Sequence, residues 1–213
     1  MAQGSLLDTV LDRLTAAGRS LQPLTRVCLI GRLAPGSSAD AFGSWCEGLC
    51  KPASITGLLL ALPNGWIQTV EGPTAALVPY LRELEGTDRL VSVKVVAAQE
   101  DVRGQLFPYF TVKSLSIMRS NFTEVDTDVS PLVADTAIGM LKIGKKLSAG
   151  EPASVIDQWE THFPDMPSNE RVDQLLDMSE LPPLEEYLTI FESPVDILME
   201  GERVWPPERA QPY

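Results

Sequence analysis

The chain has 213 residues, 44% hydrophobic and 22% charged, a composition that suits a folded core and excludes wholesale disorder. Its formal net charge is −12, and the whole imbalance lies in residues 151–213, which hold 15 of the 29 acidic and 3 of the 17 basic side chains. A phosphate-binding surface needs concentrated Lys and Arg, and neither part supplies it, so nucleic acid and an anionic membrane are not expected as partners.

No apolar run approaches the roughly 18–20 residues that span a bilayer. The amino end, Met1 to Ser5, lacks the basic start and apolar stretch of a secretory signal. Cys28, Cys46 and Cys50 leave one thiol unpaired under any disulfide scheme, which predicts reduced cysteines in a soluble intracellular protein.

Ser5 caps a predicted helix over residues 6–17 with an apolar face of Leu6, Leu7, Val10, Leu11 and Leu14. Arg26 to Ile30 reads as a buried strand, and Ser38 as the N-cap of a second helix carrying Phe42, Trp45, Cys46 and Leu49 at helical spacing. Ile55 to Leu62 predicts a long apolar strand, Pro63-Asn64-Gly65 a tight turn, and Trp66 to Val70 the returning arm of a hairpin. Pro73 and Thr74 open a third helix with Leu77, Leu81 and Leu84 inward, ended by Gly86. Strands follow at Val91 to Val95 and at Phe110 to Leu115.

After a polar linker over Asn121 to Asp128, residues 131–147 predict a helix whose Lys142, Lys145 and Lys146 suit the negative end of its dipole. Residues 170–178 and 184–191 read as short acidic helices, and Val195–Met199 with Arg203–Trp205 as a small hairpin. The element order is a helix followed by βαββαββ, an α+β sandwich of the ferredoxin-like kind. We divide the chain into an N-terminal helix (1–23), the sandwich (24–118) and an acidic helical extension (119–213) ending in a Trp-Pro-Pro tail.

The chemistry available is sparse, and no enzyme activity is expected. The one histidine, His162, precedes Phe163-Pro164 in a polar stretch, and no nucleophile elbow, phosphate loop or CxxC is present. Cys46 and Cys50 share a helix face, but two thiols make a poor zinc site, so no metal is expected. Glu47 and Glu71 are taken as surface carboxylates rather than a catalytic pair. Arg32, in the loop after the first strand, offers an anion cradle of the acylphosphatase kind in the wrong spacing, a reading that rests on fold analogy.

The informative run is Ile55-Thr56-Gly57-Leu58-Leu59-Leu60, then Asn64-Gly65-Trp66-Ile67-Gln68-Thr69-Val70-Glu71-Gly72-Pro73. With Arg26 before it and Phe107-Pro108 after it, this run resembles the core of BLUF domains, blue-light sensors that hold a flavin on a ferredoxin-like sandwich. The resemblance covers about residues 24–116. What it implies for the site is loss. The strand tyrosine of that family falls on Leu29, its flavin-binding asparagine on Cys50, and the tryptophan and methionine of its last strand on Phe110 and Val112. Gln68 alone stands at its family position. Without the tyrosine, light-driven electron and proton transfer has no starting point, so no cofactor is expected and Gln68 is read as vestigial. Thr56 and Gly57 are then explained by a helix approaching the strand closely, and Phe42 and Trp45 by filling the former flavin volume.

Residues 167–213, with Ser193-Pro194-Val195 and Val204-Trp205-Pro206, resemble the tail of the testis-expressed protein forty-seven family, whose BLUF-like core has lost its flavin residues while keeping the TGLLL strand. That resemblance implies a structural or adaptor component of the ciliary or flagellar axoneme, on its cytoplasmic side, with other axonemal proteins as partners. The expected partner-binding residues are Arg203, Trp205, Pro206 and Pro207. The alternative is a sensor that binds FMN, FAD or another small ligand in the residual pocket.

Overall fold

The structure, a computed structural model, describes residues 23–63, 65–115, 129–151 and 169–192, together with Arg13, Ala16, Ser154, Ile156 and Phe163. The helix expected over 6–17, apart from helical Arg13 and Ala16, lies outside the described residues. So do Asn64 of the expected turn, the linker at 121–128, His162 and the hairpin and tail beyond Glu192.

Five strands form one sheet: β1 (Leu24–Leu33), β2 (Thr56–Ala61), β3 (Trp66–Pro73), β4 (Leu90–Gln99) and β5 (Phe110–Ser114). Their order is β4-β1-β3-β2-β5, antiparallel except for the parallel pair β2–β5. This is the ferredoxin-like α+β sandwich with a fifth strand added beside β2.

Two helices, α1 (Ala39–Cys50) and α2 (Thr74–Glu85), lie on one face. Ser38 starts α1 as expected, its hydroxyl accepting from Ala41 N at 3.4 Å. Side chains alternate across a strand, so Val27, Leu29, Leu59, Trp66 and Val70 join Phe42, Cys46, Leu77 and Leu81 in one apolar layer. Cys28, Ile30, Leu58, Leu60 and Ile67 point the other way and are covered by α3 (Val129–Ser148) and α4 (Asn169–Asp177), through Met140, Ile143, Leu147, Val172, Leu175 and Leu176. Both faces of the sheet are therefore dry, which explains the unbroken apolar run in β2.

Lys146 serves more than the α3 dipole: it lies 3.7 Å from Glu151 and 5.4 Å from the Phe163 ring. The last described helix, α5 (Leu184–Glu192), returns to the first face, where Leu184 and Leu188 extend its apolar layer beside Leu84.

The chain entering α5 runs along β4. Val95 N donates to Pro182 O at 3.0 Å, Lys94 bridges to Pro183, and the Lys94 ammonium donates to Met178 O. That segment caps part of an edge strand that would otherwise invite pairing.

Gly57 has a reason different from the one expected. A Cβ there would sit 2.1 Å from Thr69 O on the neighbouring strand, with φ at +154°, so β3 and not a helix makes the close approach.

Candidate functional site

The registers place one row of residues across the sheet. Val112 pairs with Leu59, Leu59 with Gln68, Gln68 with Leu29, and Leu29 with Val95. Directly paired residues share a face, so this row looks onto α1 and α2 with Gln68 as its only polar member. Cys50, at the end of α1, is buried in the same layer, and Phe110 and Val112 pack against it. The five positions that the sequence marked as present or lost thus converge on one side of the sheet.

Gln68 is 0% exposed. Its Nε2 donates to Tyr80 Oη at 2.5 Å, and its Oε1 has no partner among the described residues. An unpaired buried amide oxygen costs about 1–3 kcal/mol, so the fold carries a stability deficit at this point. Tyr80 in turn lies within hydrogen-bonding reach of Cys46, with Cys50 close by. Burial, and next the adjoining thiols, raise the phenol well above its ordinary value, so Tyr80 keeps its proton and stays a donor. Burial likewise pushes the Cys46 and Cys50 thiols up to about 12.

The sequence reading missed Tyr80. The signal was there: Leu77, Tyr80, Leu81 and Leu84 stand at i, i+3, i+4 and i+7 and all four are buried. A tyrosine inside an apolar stripe requires a partner for its hydroxyl, and one strand away stood a glutamine with the same requirement.

The contact corrects the expectation that no cofactor binds. A site emptied of ligand chemistry would have a satisfied amide or an apolar residue at the centre of the row. Here the amide is oriented by a tyrosine from α2 instead of the first strand, and its acceptor faces the interior unpaired.

Phe42 packs beside this row, its ring 5.3 Å from that of Trp66. Trp45 packs against the same layer, its ring 6.0 Å from that of Phe42, and lies half-buried under the Arg89 guanidinium, 5.6 Å from its centroid. Trp66 lies over Gly31, where a Cβ would come within 2.3 Å of the indole, and its Nε1 is also buried without a partner.

Glu71 is not at the surface, which corrects a second expectation. It is fully buried on the opposite face, paired with Arg26 at 2.7 Å, and accepts from Phe107 N at 2.5 Å and Thr56 Oγ1 at 3.3 Å. The register sets Arg26 and Thr56 directly across from it on either side. This carboxylate ties three strands to the turn before β5, so its role is structural. Arg32 lies within β1 and pairs with Asp173 of α4 at 2.7 Å, which removes it as an anion cradle.

Among the described residues no three or more His, Cys, Asp and Glu side chains are placed to hold a metal ion, and no helix is long and apolar enough to cross a membrane. The expected partner residues Arg203, Trp205, Pro206 and Pro207 lie outside the described residues.

Comparison with known proteins follows this geometry. BlrB, a BLUF protein in its dark state, is 17% identical at a TM-score of 0.45, covering 62% of this chain and 100% of BlrB. Klebsiella pneumoniae BlrP1 with FMN and cyclic diGMP is 19% identical at 0.41, covering 55% of this chain and 37% of that one. A bacterial light-regulated adenylyl cyclase is 18% identical at 0.40, covering 68% and 40%. The chain thus spans well under half the length of the cyclase and of that BlrP1 structure. No curated protein matches it in sequence. The sequence profile of testis-expressed protein 47 matches residues 23–193, the sandwich with α3, α4 and α5, and the chain belongs to that family.

Proposed function

We propose that the chain binds a flavin, FMN or FAD, or another small planar ligand against Gln68, and that it works as a sensor rather than an enzyme. The observation that carries this reading is the fully buried Gln68 amide, held by Tyr80 and left with an unpaired acceptor. Evolution tolerates such a deficit where a site needs it.

The residues fit a flavin in part. Gln68 suits the polar edge of the ring, and Leu29, Leu59 and Val112 suit its apolar face. The lost polar positions Leu29 and Cys50 supply no directed bond, so affinity falls below that of a site with all grips in place. When bound, a flavin supplies a light-absorbing, redox-active ring. The chain's own contribution is to orient one amide and to exclude water.

The test is equilibrium binding of riboflavin, FMN and FAD to the purified full-length protein. Saturable binding that is lost in Gln68→Leu supports the reading. A folded wild-type protein that binds none of the three overturns it.

The acidic excess of residues 151–213 favours a second reading, an adaptor of the ciliary or flagellar axoneme. In it residues 24–118 form the sandwich, and 119–213 attach to axonemal proteins through Arg203, Trp205, Pro206 and Pro207. Unchanged retention on salt-washed axonemes after deletion of 195–213 would sink that reading.

A further inference from the structure

The row of paired residues next to that of Gln68 faces the other way. Leu58 pairs with Thr69, Thr69 with Cys28, and Cys28 with Ala97, so this row looks onto α3. Elsewhere on the same face Ile30, Leu60 and Ile67 meet the covering helices. Here the facing side chains are short. Ala97 on β4 and Ala137 on α3, with Leu141 one turn further along the helix, leave a cavity of about 50 Å³ between sheet and helix.

Thr69 lines that cavity and is 1% exposed, and its hydroxyl has no hydrogen-bond partner among the described residues. The Cys28 thiol stands across from it, near enough to feel the hydroxyl, but makes no bond of normal geometry with it. A valine has the same outline and would bury no unpaired polar atom, so packing alone gives no reason for a threonine. The walls carry no uncompensated charge. Arg26 contributes to them, but its guanidinium is engaged by Glu71 at 2.7 Å and by Gln99 Oε1 and Gly104 O at 3.3 Å. Burial pushes the Cys28 thiol up to about 11, which keeps it neutral.

We infer that this cavity is a second small-molecule site, taking an uncharged ligand with one hydroxyl or carbonyl against Thr69 and an apolar body against Ala97, Ala137 and Leu141. Since one water needs about 10–15 Å³, the volume suits a ligand of about four heavy atoms. A charged ligand is excluded, because nothing in the walls offsets the loss of its hydration. The sheet separates this site from Gln68, so the inference is independent of any flavin.

The experiment titrates isotope-labelled full-length protein with 2-propanol, with acetone, and with isopropylammonium at neutral pH as the charged control. The expected result is saturable movement of the Thr69, Ala97 and Ala137 resonances by the two neutral probes, with millimolar affinity, and none by the cation. Thr69→Val, which keeps the shape and removes the hydroxyl, should bind 2-propanol about five- to tenfold more weakly. Ala137→Val, which fills the cavity from the helix side, should abolish the response, and Gln68→Leu should leave it unchanged. No saturable response in the folded wild-type protein overturns the inference. So does equal binding of 2-propanol by Thr69→Val, which would mark an apolar packing void only, or equal binding of the cation.

Discussion

Replacing Gln68 by leucine tests whether the amide is kept for a ligand. In the ligand-free protein the side chain makes one bond, Nε2 to Tyr80, and leaves Oε1 unpaired at 0% exposure. Leucine has similar volume, removes an unpaired acceptor worth about 1–3 kcal/mol and gives up a bond worth about 0.5–1.5 kcal/mol. Gln68→Leu should therefore change stability by between about −0.5 and +2.5 kcal/mol, with stabilisation the more natural sign. Tyr80→Phe does the reverse. It deletes the hydroxyl and strands both ends of the amide, a cost of about 1–3 kcal/mol.

In the Gln68→Leu background the same tyrosine change should cost less, because no amide remains to be stranded. The cycle predicts a coupling of about 1–2 kcal/mol. Urea unfolding of the four proteins at constant m measures it, and for a chain of this size each kcal/mol moves Tm by about 2–4 °C. Flavin binding should fail in both Gln68→Leu proteins whatever their stability. If Gln68→Leu is more destabilising than Tyr80→Phe, or the cycle is additive, the amide is already satisfied and the reasoning fails.

Removing the Glu71 carboxylate, as in Glu71→Ala, should cost about 3–5 kcal/mol in urea unfolding, because Arg26 is then left without its charge partner and Phe107 N loses its acceptor. Gly57→Ala should destabilise by more than about 2 kcal/mol, or abolish folding, since its Cβ would meet Thr69 O at 2.1 Å and neither backbone has room to yield; a Tm near wild type would refute this. Burial holds Cys28 up to about 11 and Cys46 and Cys50 up to about 12, against an ordinary 9.0. The unfolded thiols lose protons first as pH rises, so the unfolded state binds fewer protons and stability declines from about pH 9 toward 11–12. Denaturant titrations across that range should show the decline, and a triple Cys→Ala variant should flatten it. The same thiols should resist a disulfide reagent at neutral pH until the protein unfolds.

Much of the sandwich was legible because its elements announce themselves locally. Ser38, Thr74 and Gly86 mark helix ends, and Leu77, Leu81 and Leu84 repeat at helical spacing. The apolar run from Ile55 to Leu62 admits only a strand buried on both faces. What covers the second face was not legible. Residues 131–147 and 170–178 showed amphipathic periods, but a period names an apolar stripe and not the surface it meets. Glu71 was misjudged for the same reason. A glutamate is normally exposed, and only the β1–β3 register brings Arg26 across from it.

The site divides along the same line. The sequence alone settled the fold class, the strand carrying Gln68 and the absence of a tyrosine at Leu29, since each depends on residues close together in the chain. Tertiary structure decided that Tyr80, twelve residues on and in a different element, reaches back to that amide, and that none of the described residues satisfies its oxygen. Hydrogen-bond partnership between separate elements depends on how a helix docks on a sheet. Docking is set by the summed packing of many apolar side chains, so no local pattern encodes which hydroxyl will meet which amide.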